Sequence, residues 1–198
     1  MTAASPTSNA LLLVDVQNDF LPGGHLEVPR GNEIIPVLKR YIARFERECA
    51  PIFATRDWHP RNHCSFQTEG GLWPVHCVME TRGAEFSSSL GLPKSTVIIS
   101  KGNVRDKEAY SGFEGTDLEN QLREAGVSCV FVGGLATDYC VLNTVKDALA
   151  KGFKVMLLRD AIRAVNVRPQ DGQKAEEEML HRGAVALELA SAGENKAT

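Results

Sequence analysis

The sequence predicts an α/β fold, a three-layer, doubly wound parallel sheet with helices on both faces. Two observations lead to this prediction. Short apolar runs with the length of buried strands recur along the 198 residues, and segments with helical three-and-four spacing of apolar residues separate them. Continuous apolar runs are typical of parallel strands that are covered on both faces. Strands that alternate with helices favour a doubly wound sheet with right-handed crossovers.

The first half of the chain contains three predicted strands and one predicted helix. The strands are expected at residues 10–14, 51–55 and 96–100. A helix is expected at 33–48, because its apolar residues recur at helical spacing. That stripe consists of Ile34, Ile35, Leu38, Ile42 and Phe45. Residues 56–94 are rich in His, Pro and Gly with little periodicity, and so long a loop inside a domain is usually functional.

The second half continues the alternation of helices and strands. Glycines at 126 and 152 are expected to end the first two of its helices. The predicted elements are a helix at 117–125, a strand at 127–132, a helix at 138–151, a strand at 153–158, a helix at 173–181 and a short strand at 184–187. This pattern completes six strands in one predicted domain that spans residues 1–198.

Composition excludes several classes of protein. Hydrophobic residues make up 43% of the chain, which is enough for one large core, and the net charge of -3 gives no basic stripe for nucleic acid. No apolar run approaches the roughly 18–20 residues that cross a bilayer, so no membrane partner is expected. The polar ends, residues 1–9 and 190–198, are predicted to be tails, and the first of them lacks the basic start of a signal peptide.

The cysteines indicate a reducing compartment. There are five of them, an odd number, and no Cys-x-x-Cys pair occurs. A disulfide framework is therefore not expected, and we predict a cytoplasmic protein. No Gly-x-Gly-x-x-Gly follows any predicted strand, which disfavours a dinucleotide cofactor.

Three chemically active side chains come just after three of the predicted strands. Asp15, Lys101 and Cys140 offer an acid, an amine and a thiol. The carboxyl ends of parallel strands meet at one edge of a sheet, where such folds bind ligands. A thiol needs a base and a nearby positive charge to become a good nucleophile. The pattern therefore predicts covalent hydrolysis by a cysteine.

Cys140 lies in the strand-to-helix turn at residues 133–140. Free N–H groups at the start of a helix are expected to lower its pKa from about 8.5 and to hold an oxyanion. Other interpretations remain open for each residue. Cys140 could pack as a small hydrophobe, Asp15 could cap the turn through Gln17 and Asn18, and Lys101 could be merely solvated.

A candidate metal site follows the second predicted strand. Asp57, His59 and His76 supply one carboxylate and two imidazoles, which suit Zn, Fe or Mn and leave open coordination positions. His63 and Cys64 lie in the same loop and are candidate ligands or neighbours of ligands. The alternative is that these histidines only hydrogen-bond within an ordered loop.

Taken together, these segments resemble the nicotinamidases among the isochorismatase-like cysteine hydrolases. The resemblance runs in unbroken order over about residues 10–188. It is carried by Leu-Val-Asp-Val-Gln-Asn-Asp-Phe at 13–20, Asp-Trp-His-Pro at 57–60, Asn-His-Cys-Ser-Phe at 62–66, Trp-Pro-Val-His-Cys at 73–77, Lys-Gly at 101–102, Tyr-Ser-Gly-Phe at 110–113 and Ala-Thr-Asp-Tyr-Cys-Val at 136–141.

The resemblance implies a six-stranded parallel sheet and a set of site residues. The implied catalytic triad is Asp15, Lys101 and Cys140, and the implied oxyanion hole consists of the Ala136 and Cys140 N–H groups after a cis peptide. The residues implied to line the substrate ring are Phe20, Trp73 and Tyr110. The implied metal ligands are Asp57, His59 and His76, joined in some relatives by His63. The implied cofactor is one divalent ion that receives the pyridine nitrogen of nicotinamide. Zinc is the first expectation, and iron and manganese are alternatives.

The resulting hypothesis is a metal-dependent amidohydrolase that converts nicotinamide, and also pyrazinamide, to the acid and ammonia through a Cys140 thioester. One alternative is a related amidase for another small amide. A second is direct attack by metal-bound hydroxide with Cys140 structural. A third is a catalytically silent binding protein. A homo-oligomer also stays open, because Val141, Leu142 and Val145 suit either a core or an interface.

Overall fold

The structure is a computed structural model that describes residues 8–189, and a sheet of six parallel strands forms its centre. The strands are β1 (Ser8–Val14), β2 (Ile52–Asp57), β3 (Val97–Lys101), β4 (Val127–Leu135), β5 (Lys154–Arg163) and β6 (Val185–Leu187). Their order across the sheet is β3-β2-β1-β4-β5-β6. The predicted α/β class and the six-stranded parallel sheet are therefore confirmed.

Four helices cover the two faces of this sheet. They are α1 (Ile34–Arg47), α2 (Leu118–Glu124), α3 (Leu142–Ala150) and α4 (Asp171–His181). Helix α1 packs into the apolar cluster on one face, and α2, α3 and α4 pack into the cluster on the other. This arrangement confirms the three layers. Within residues 8–189, no helix is long and apolar enough to span a bilayer.

Strand β1 shows why its apolar run is continuous. Leu11 and Leu13 point into the cluster on the α1 face, whereas Ala10, Leu12 and Val14 point into the opposite cluster. Each of these residues is at most 1% exposed. Side chains alternate between faces along a strand, so a central strand with two covered faces needs apolar residues at every position.

Helix α1 is positioned by the stripe expected from the sequence, with one change. Ile34, Leu38, Ile42 and Phe45 are buried as predicted, but Ile35 is only partly buried and Tyr41 is fully buried. The stripe is therefore wider than the apolar residues alone indicate. Its Phe45 ring contacts Phe131 of β4 edge-on at a centroid distance of 5.2 Å.

Several predicted strand ends shift in the structure. Strand β1 begins at Ser8, so residues 8 and 9 of the predicted N-terminal tail are strand, and residues 1–7 and 190–198 lie outside the described part. Asp57 and Lys101 are the last residues of β2 and β3, and they pair with each other in the ladder. Strands β4 and β5 run on to residues 135 and 163, past their predicted ends.

The extension of β4 depends on glycine. Gly134 has φ +132°, and a Cβ there would lie 2.0 Å from the carbonyl oxygen of Val14. Only glycine lets the two backbones approach so closely. The chain order reverses at this pair, because β1 has β2 on one side and β4 on the other. Open α/β sheets bind ligands at such a switch point.

The long segment at residues 58–96 contains only short 3-10 turns between β2 and β3. Isolated bridges fasten it to itself and to the turn after β1, pairing His59 with Val78, Phe66 with Trp73, and Gln17 with Phe86. The segment lies beside the carboxyl ends of the strands, where it contributes side chains to the cavity described below.

Candidate active site

Asp15, Lys101 and Cys140 meet at the carboxyl edge of the sheet. Asp15 directly follows β1, Lys101 ends β3, and Cys140 lies in the turn Thr137–Val141 between β4 and α3. The Lys101 Nζ lies 3.0 Å from Asp15 Oδ2 and 3.4 Å from Cys140 Sγ. All three side chains are buried. The structure thus brings together the acid, amine and thiol that the sequence predicts will meet.

The hydrogen bonds of Lys101 leave one oxygen of Asp15 free. An ammonium group has three N–H donors. Lys101 directs them to an Asp57 carboxylate oxygen, to the Ala109 carbonyl at 3.1 Å and to Cys140 Sγ. Asp15 Oδ1 accepts from the Thr55 hydroxyl at 2.6 Å. Asp15 Oδ2 is therefore ion-paired with Lys101 but accepts no hydrogen bond, so it is available to take a proton.

Burial and mutual charge set the protonation of this group. Burial raises the pKa of Asp15, against the lowering effect of Lys101. Burial alone would lower the pKa of Lys101, but Asp15 and Asp57 hold it well above its usual value. Burial would raise the pKa of Asp57, but the Lys101 ammonium and His59 hold it far below the usual range. Lys101 therefore stays charged between two carboxylates.

The sequence predicted a lowered pKa for Cys140, and this prediction is wrong. Burial raises the pKa of the thiol well above its usual value, Lys101 lowers it only in part, and Asp15 and Asp57 raise it further. The turn that carries Cys140 is π-helical, and regular helix begins only at Leu142. The thiol is therefore protonated at rest, and its activation requires a base.

The alternative role for Asp15, capping the following turn with its side chain, is not what the structure contains. The Gln17 N–H is bonded to the backbone carbonyl of Asp15 at 2.8 Å, and the Asn18 N–H is bonded to the Glu85 carbonyl. The carboxylate instead faces Thr55 and Lys101.

Asp57, His59 and His76 form a second group beside the first. One potential ligand atom from each lies within 4.8 Å of the others, and all three residues are buried. The Nδ1 of His59 is 2.8 Å from the Gly102 carbonyl, and the Nδ1 of His76 is 2.8 Å from the Pro74 carbonyl. A carbonyl only accepts, so each Nδ1 carries the proton and each neutral ring offers the lone pair of Nε2.

The pKa values of the two imidazoles shift in opposite directions. Burial lowers the pKa of His76 to about 4, so this ring is neutral at pH 7. Burial alone would lower the pKa of His59, but the Asp57 carboxylate outweighs it and raises that pKa. Two imidazole lone pairs and one carboxylate suit a divalent transition metal.

His63 and Cys64 stand apart from this group. Both ring nitrogens of His63 are engaged, Nδ1 with the Ser65 hydroxyl at 2.7 Å and Nε2 with the Lys107 carbonyl at 3.1 Å. Its ring stacks on His59 with centroids 4.1 Å apart. Neither His63 nor Cys64 is among the atoms that converge with Asp57. In this arrangement His63 supports His59.

Asp15, Asp57 and Cys140 also bring ligand atoms within 4.8 Å of one another. The Lys101 ammonium contacts all three of them, so it occupies the centre of this cluster. The protein's own cation therefore fills this position.

Two residues that the sequence reasoning did not assign hold the group of Asp57, His59 and His76 in place. Gln17 is fully buried, and its side-chain amide bonds both the N–H and the carbonyl of Asp57, each at 2.8 Å, and the Ala84 carbonyl at 2.9 Å. Asp19 accepts the N–H of Cys77, the neighbour of His76, at 2.7 Å. A polar residue inside an otherwise buried turn is the sequence signal that could have found them, since such groups are costly unless bonded.

A cavity of about 420 Å³, part of it open to solvent, lies above both groups. Its walls include the predicted ring-lining residues Phe20, Trp73 and Tyr110, together with Ala136 and Cys140. The Trp73 indole N–H donates to the Tyr110 hydroxyl at 3.0 Å. The walls that the sequence reasoning missed are Leu26, Val28, Glu108, Tyr139 and Val165. Tyr139 packs edge-on against Trp73 at 4.9 Å.

The turn before Cys140 has the backbone that the resemblance implies. The peptide between Leu135 and Ala136 is cis. The Ala136 carbonyl accepts the N–H groups of Tyr139 and Val141, both at 3.1 Å. Asp138 bonds the N–H groups of Val165 and Asn166 at 2.9 and 2.7 Å, which fixes the wall that Val165 contributes.

Comparisons with known proteins identify the family of this chain. The model of the isochorismatase domain matches residues 9–191. The nicotinamidase of Escherichia coli (strain K12) is 38% identical over 202 residues, which cover 91% of this chain and 95% of that protein.

Two solved structures share the fold closely. The pyrazinamidase of Pyrococcus horikoshii in complex with zinc is 53% identical, with a TM-score of 0.88 over 92% of this chain and 99% of that one. PnC1 from L. infantum in complex with nicotinate is 34% identical, with a TM-score of 0.85 over 96% of this chain and 97% of that one. The chain therefore belongs to the isochorismatase family and is a nicotinamidase-like hydrolase that acts on an amide.

Proposed function

We propose that the protein hydrolyses nicotinamide to nicotinate and ammonia through a thioester on Cys140, and that pyrazinamide is also a substrate. The observation that carries the proposal is the unbonded Asp15 Oδ2, buried beside Lys101 and Cys140 below an aromatic-walled cavity. A buried acceptor without a hydrogen bond is costly, and a proton-transfer role accounts for it.

In the first step, Asp15 takes the proton from the Cys140 thiol as the sulfur attacks the carboxamide carbon. The raised pKa of the buried carboxyl suits it to this role, because a base works best when its pKa is close to the working pH. Lys101 contacts both groups and offsets the negative charge that moves between them. Attack produces a tetrahedral oxyanion, for which we propose the N–H groups of Ala136 and Cys140 as donors.

In the second step, protonated Asp15 gives its proton to the departing nitrogen, so ammonia leaves and a thioester remains on Cys140. Asp15, again a carboxylate, then removes a proton from a water that attacks the thioester carbon. The Cys140 sulfur leaves and recovers the proton from Asp15, and the free acid ionises to nicotinate. Asp15 thus serves as base and acid in turn, a role worth about 10²–10⁴ in rate.

Asp57, His59 and His76 fit a divalent ion by their donor set, and we propose zinc, with iron and manganese as alternatives. When bound there, the ion supplies a Lewis acid for the ring nitrogen of the substrate. The side chains of Phe20, Trp73 and Tyr110 would hold the flat ring between them. His63, with both nitrogens engaged, is proposed as a support for His59.

Ammonia release tests the proposal. We expect nicotinamide and pyrazinamide to be hydrolysed far faster than aliphatic amides, with zinc content measured on the same sample. Cys140→Ala should lower turnover by about 10⁴-fold or more, as loss of a nucleophile does in other hydrolases. Cys129→Ala, a buried cysteine in mid-strand, is the control. Failure of every amide in the panel would leave a binding protein as the better hypothesis.

One rival keeps the amide substrate and changes the nucleophile. If a hydroxide held by the Asp57 group attacks directly, Cys140 is structural and the Cys140→Ala variant keeps substantial ammonia release. Chelation would then abolish all activity. The closeness of Asp15 and Lys101 to the sulfur favours the covalent route.

We also propose that residues 1–198 form a single domain. The family model spans residues 9–191, and all six described strands belong to one sheet. A cooperative, single unfolding transition is the expected outcome, and two separated transitions would contradict it.

A further inference from the structure

We propose that Glu108 makes the cavity discriminate against carboxylates, so that the neutral amide binds in preference to the anionic product of its hydrolysis. This inference rests on the proposed function, because it takes nicotinamide and nicotinate as substrate and product. Glu108 lines the same cavity as Cys140, Tyr110 and His76, and the mechanism assigns it no role.

The contacts of Glu108 leave its charge uncompensated. Its Oε1 accepts the N–H of Ala109 at 3.1 Å, which holds the carboxylate at the cavity wall. The Ala109 carbonyl in turn accepts from Lys101, so this stretch of backbone is tied to the catalytic group. Within residues 8–189, no lysine, arginine or histidine nitrogen forms an ion pair with Glu108. The other two carboxylates in the site, Asp15 and Asp57, are both paired with Lys101.

The charge balance of the cavity explains what the Glu108 carboxylate would do. A divalent ion beside Asp57 together with Lys101 outweighs the charges of Asp15 and Asp57. A cavity with that excess of positive charge would bind a carboxylate more tightly than a neutral amide of the same shape. Glu108 offsets the excess, and like-charge repulsion acts on the product but not on the substrate.

Glu108→Gln isolates this effect. The glutamine keeps the volume and the acceptor for the Ala109 N–H, so only the charge is removed. Asp106→Asn is the matched control, because Asp106 is an exposed acid of the same loop and does not line the cavity. Dissociation constants for nicotinate and nicotinamide are measured by calorimetry on zinc-loaded protein carrying Cys140→Ala, which prevents turnover.

We expect Glu108→Gln to tighten nicotinate binding about fivefold relative to nicotinamide at low salt, from the repulsion of two charges about 8 Å apart at an intermediate dielectric. Asp106→Asn should leave the ratio of the two constants where it is. At high salt, the ratio of the two dissociation constants in Glu108→Gln should approach the ratio in the protein that keeps Glu108. Salt screens an effect of charge but does not remove an effect of packing.

One result would overturn the inference. It is an unchanged ratio of nicotinate to nicotinamide affinity in Glu108→Gln, whether neither affinity changes or both change by the same factor. If Cys140→Ala does not fold, the ratio can be measured in active enzyme instead. It is then the inhibition constant of nicotinate divided by the Michaelis constant of nicotinamide. The binding measurement does not require turnover, so the two proposals can fail separately. If no ammonia is released but the affinity ratio still changes in Glu108→Gln, only the proposed function is contradicted.

Discussion

The two halves of the site are built in different ways. The proposed catalytic half, Asp15, Lys101 and Cys140, depends on three strands for its position: Asp15 directly follows β1, Lys101 ends β3, and Cys140 lies in the turn after β4. The proposed metal half, Asp57, His59 and His76, has one residue on a strand and two in the long segment at 58–96, which has no regular strand or helix longer than a 3-10 turn.

What positions the metal half is a set of hydrogen bonds from buried groups. Gln17 bonds both sides of the Asp57 peptide, the carbonyls of Gly102 and Pro74 orient the two imidazoles, and Asp19 bonds the peptide next to His76. A sheet edge and an irregular segment can therefore both place side chains for a site. The segment needs buried polar partners to do so, because it has no ladder.

Lys101 joins the two halves, so among substitutions at Lys101, Gln17 and Thr55 its replacement should have the largest effect. Lys101→Met leaves Asp15 and Asp57 buried without their cation, which typically costs about 3–5 kcal/mol of folding free energy. We expect ammonia release to fall by about 10³-fold or more. Urea unfolding and steady-state rates check the two effects. Lys146→Met, which removes a surface pair with Glu178, should cost less than about 1 kcal/mol.

If Lys101→Met were as stable as Lys146→Met, the buried charges would not be coupled in the way that the distances indicate.

Gln17 tests the metal half alone. Gln17→Met keeps the size of the side chain and removes all three hydrogen bonds, so we expect zinc affinity to fall about 10–100-fold, as it does when groups that orient metal ligands are lost. Competition with a chromogenic chelator measures this. Gln67→Met, an exposed residue with one bond to the Leu72 carbonyl, is the control.

The same Gln17→Met variant should also unfold at lower urea concentration, because the Asp57 N–H is left buried and unbonded. Reduced stability with unaltered zinc affinity would mean that Gln17 supports the fold but not the metal site.

Thr55 tests the catalytic half with a smaller effect. The Thr55 hydroxyl donates to Asp15 Oδ1 and lowers the pKa of that carboxyl. In Thr55→Val this pKa rises, and Asp15 must be ionised to accept the thiol proton. The fall of kcat/KM towards low pH should therefore begin at a higher pH. At pH 7 we expect about a tenfold loss, the value of one hydrogen bond to a charged group.

Thr55→Ser keeps the hydroxyl and is the matched control for the pH profile. A Thr55→Val profile that superimposes on that of the serine variant would show that this bond does not tune Asp15.

Much of the fold followed from local patterns. The continuous apolar run at residues 10–14 and the stripe on α1 predicted a buried strand and a packed helix, because periodicity reports directly on which faces are covered. Strand ends did not follow from these patterns. Asp57 and Lys101 proved to be the last residues of their strands, since pairing with a neighbouring strand, and not composition, decides where a ladder stops.

The pKa of Cys140 shows why some properties were out of reach. Its place after a strand predicted a lowered pKa from a helix terminus, whereas burial beside two carboxylates raises it. Desolvation depends on every atom packed around the sulfur, and those atoms come from distant parts of the chain. The roles of Gln17 and Asp19 were missed for the same reason, because their partners lie between 40 and 67 residues away.

Patterns along the sequence were enough to predict the sheet, the six strands, and the residue types that gather at their carboxyl ends, because hydrophobic periodicity is a local property. Only the tertiary structure decided which hydrogen-bond donors and acceptors remain unused. It showed that Lys101 donates its three hydrogen bonds to Asp57, Ala109 and Cys140, so Asp15 Oδ2 accepts none. It also showed that Glu108 lines the cavity without an ion-pair partner among the described residues. Whether a hydrogen-bonding group has a partner depends on its neighbours in three dimensions, and the spacing of residues along the chain does not specify those neighbours.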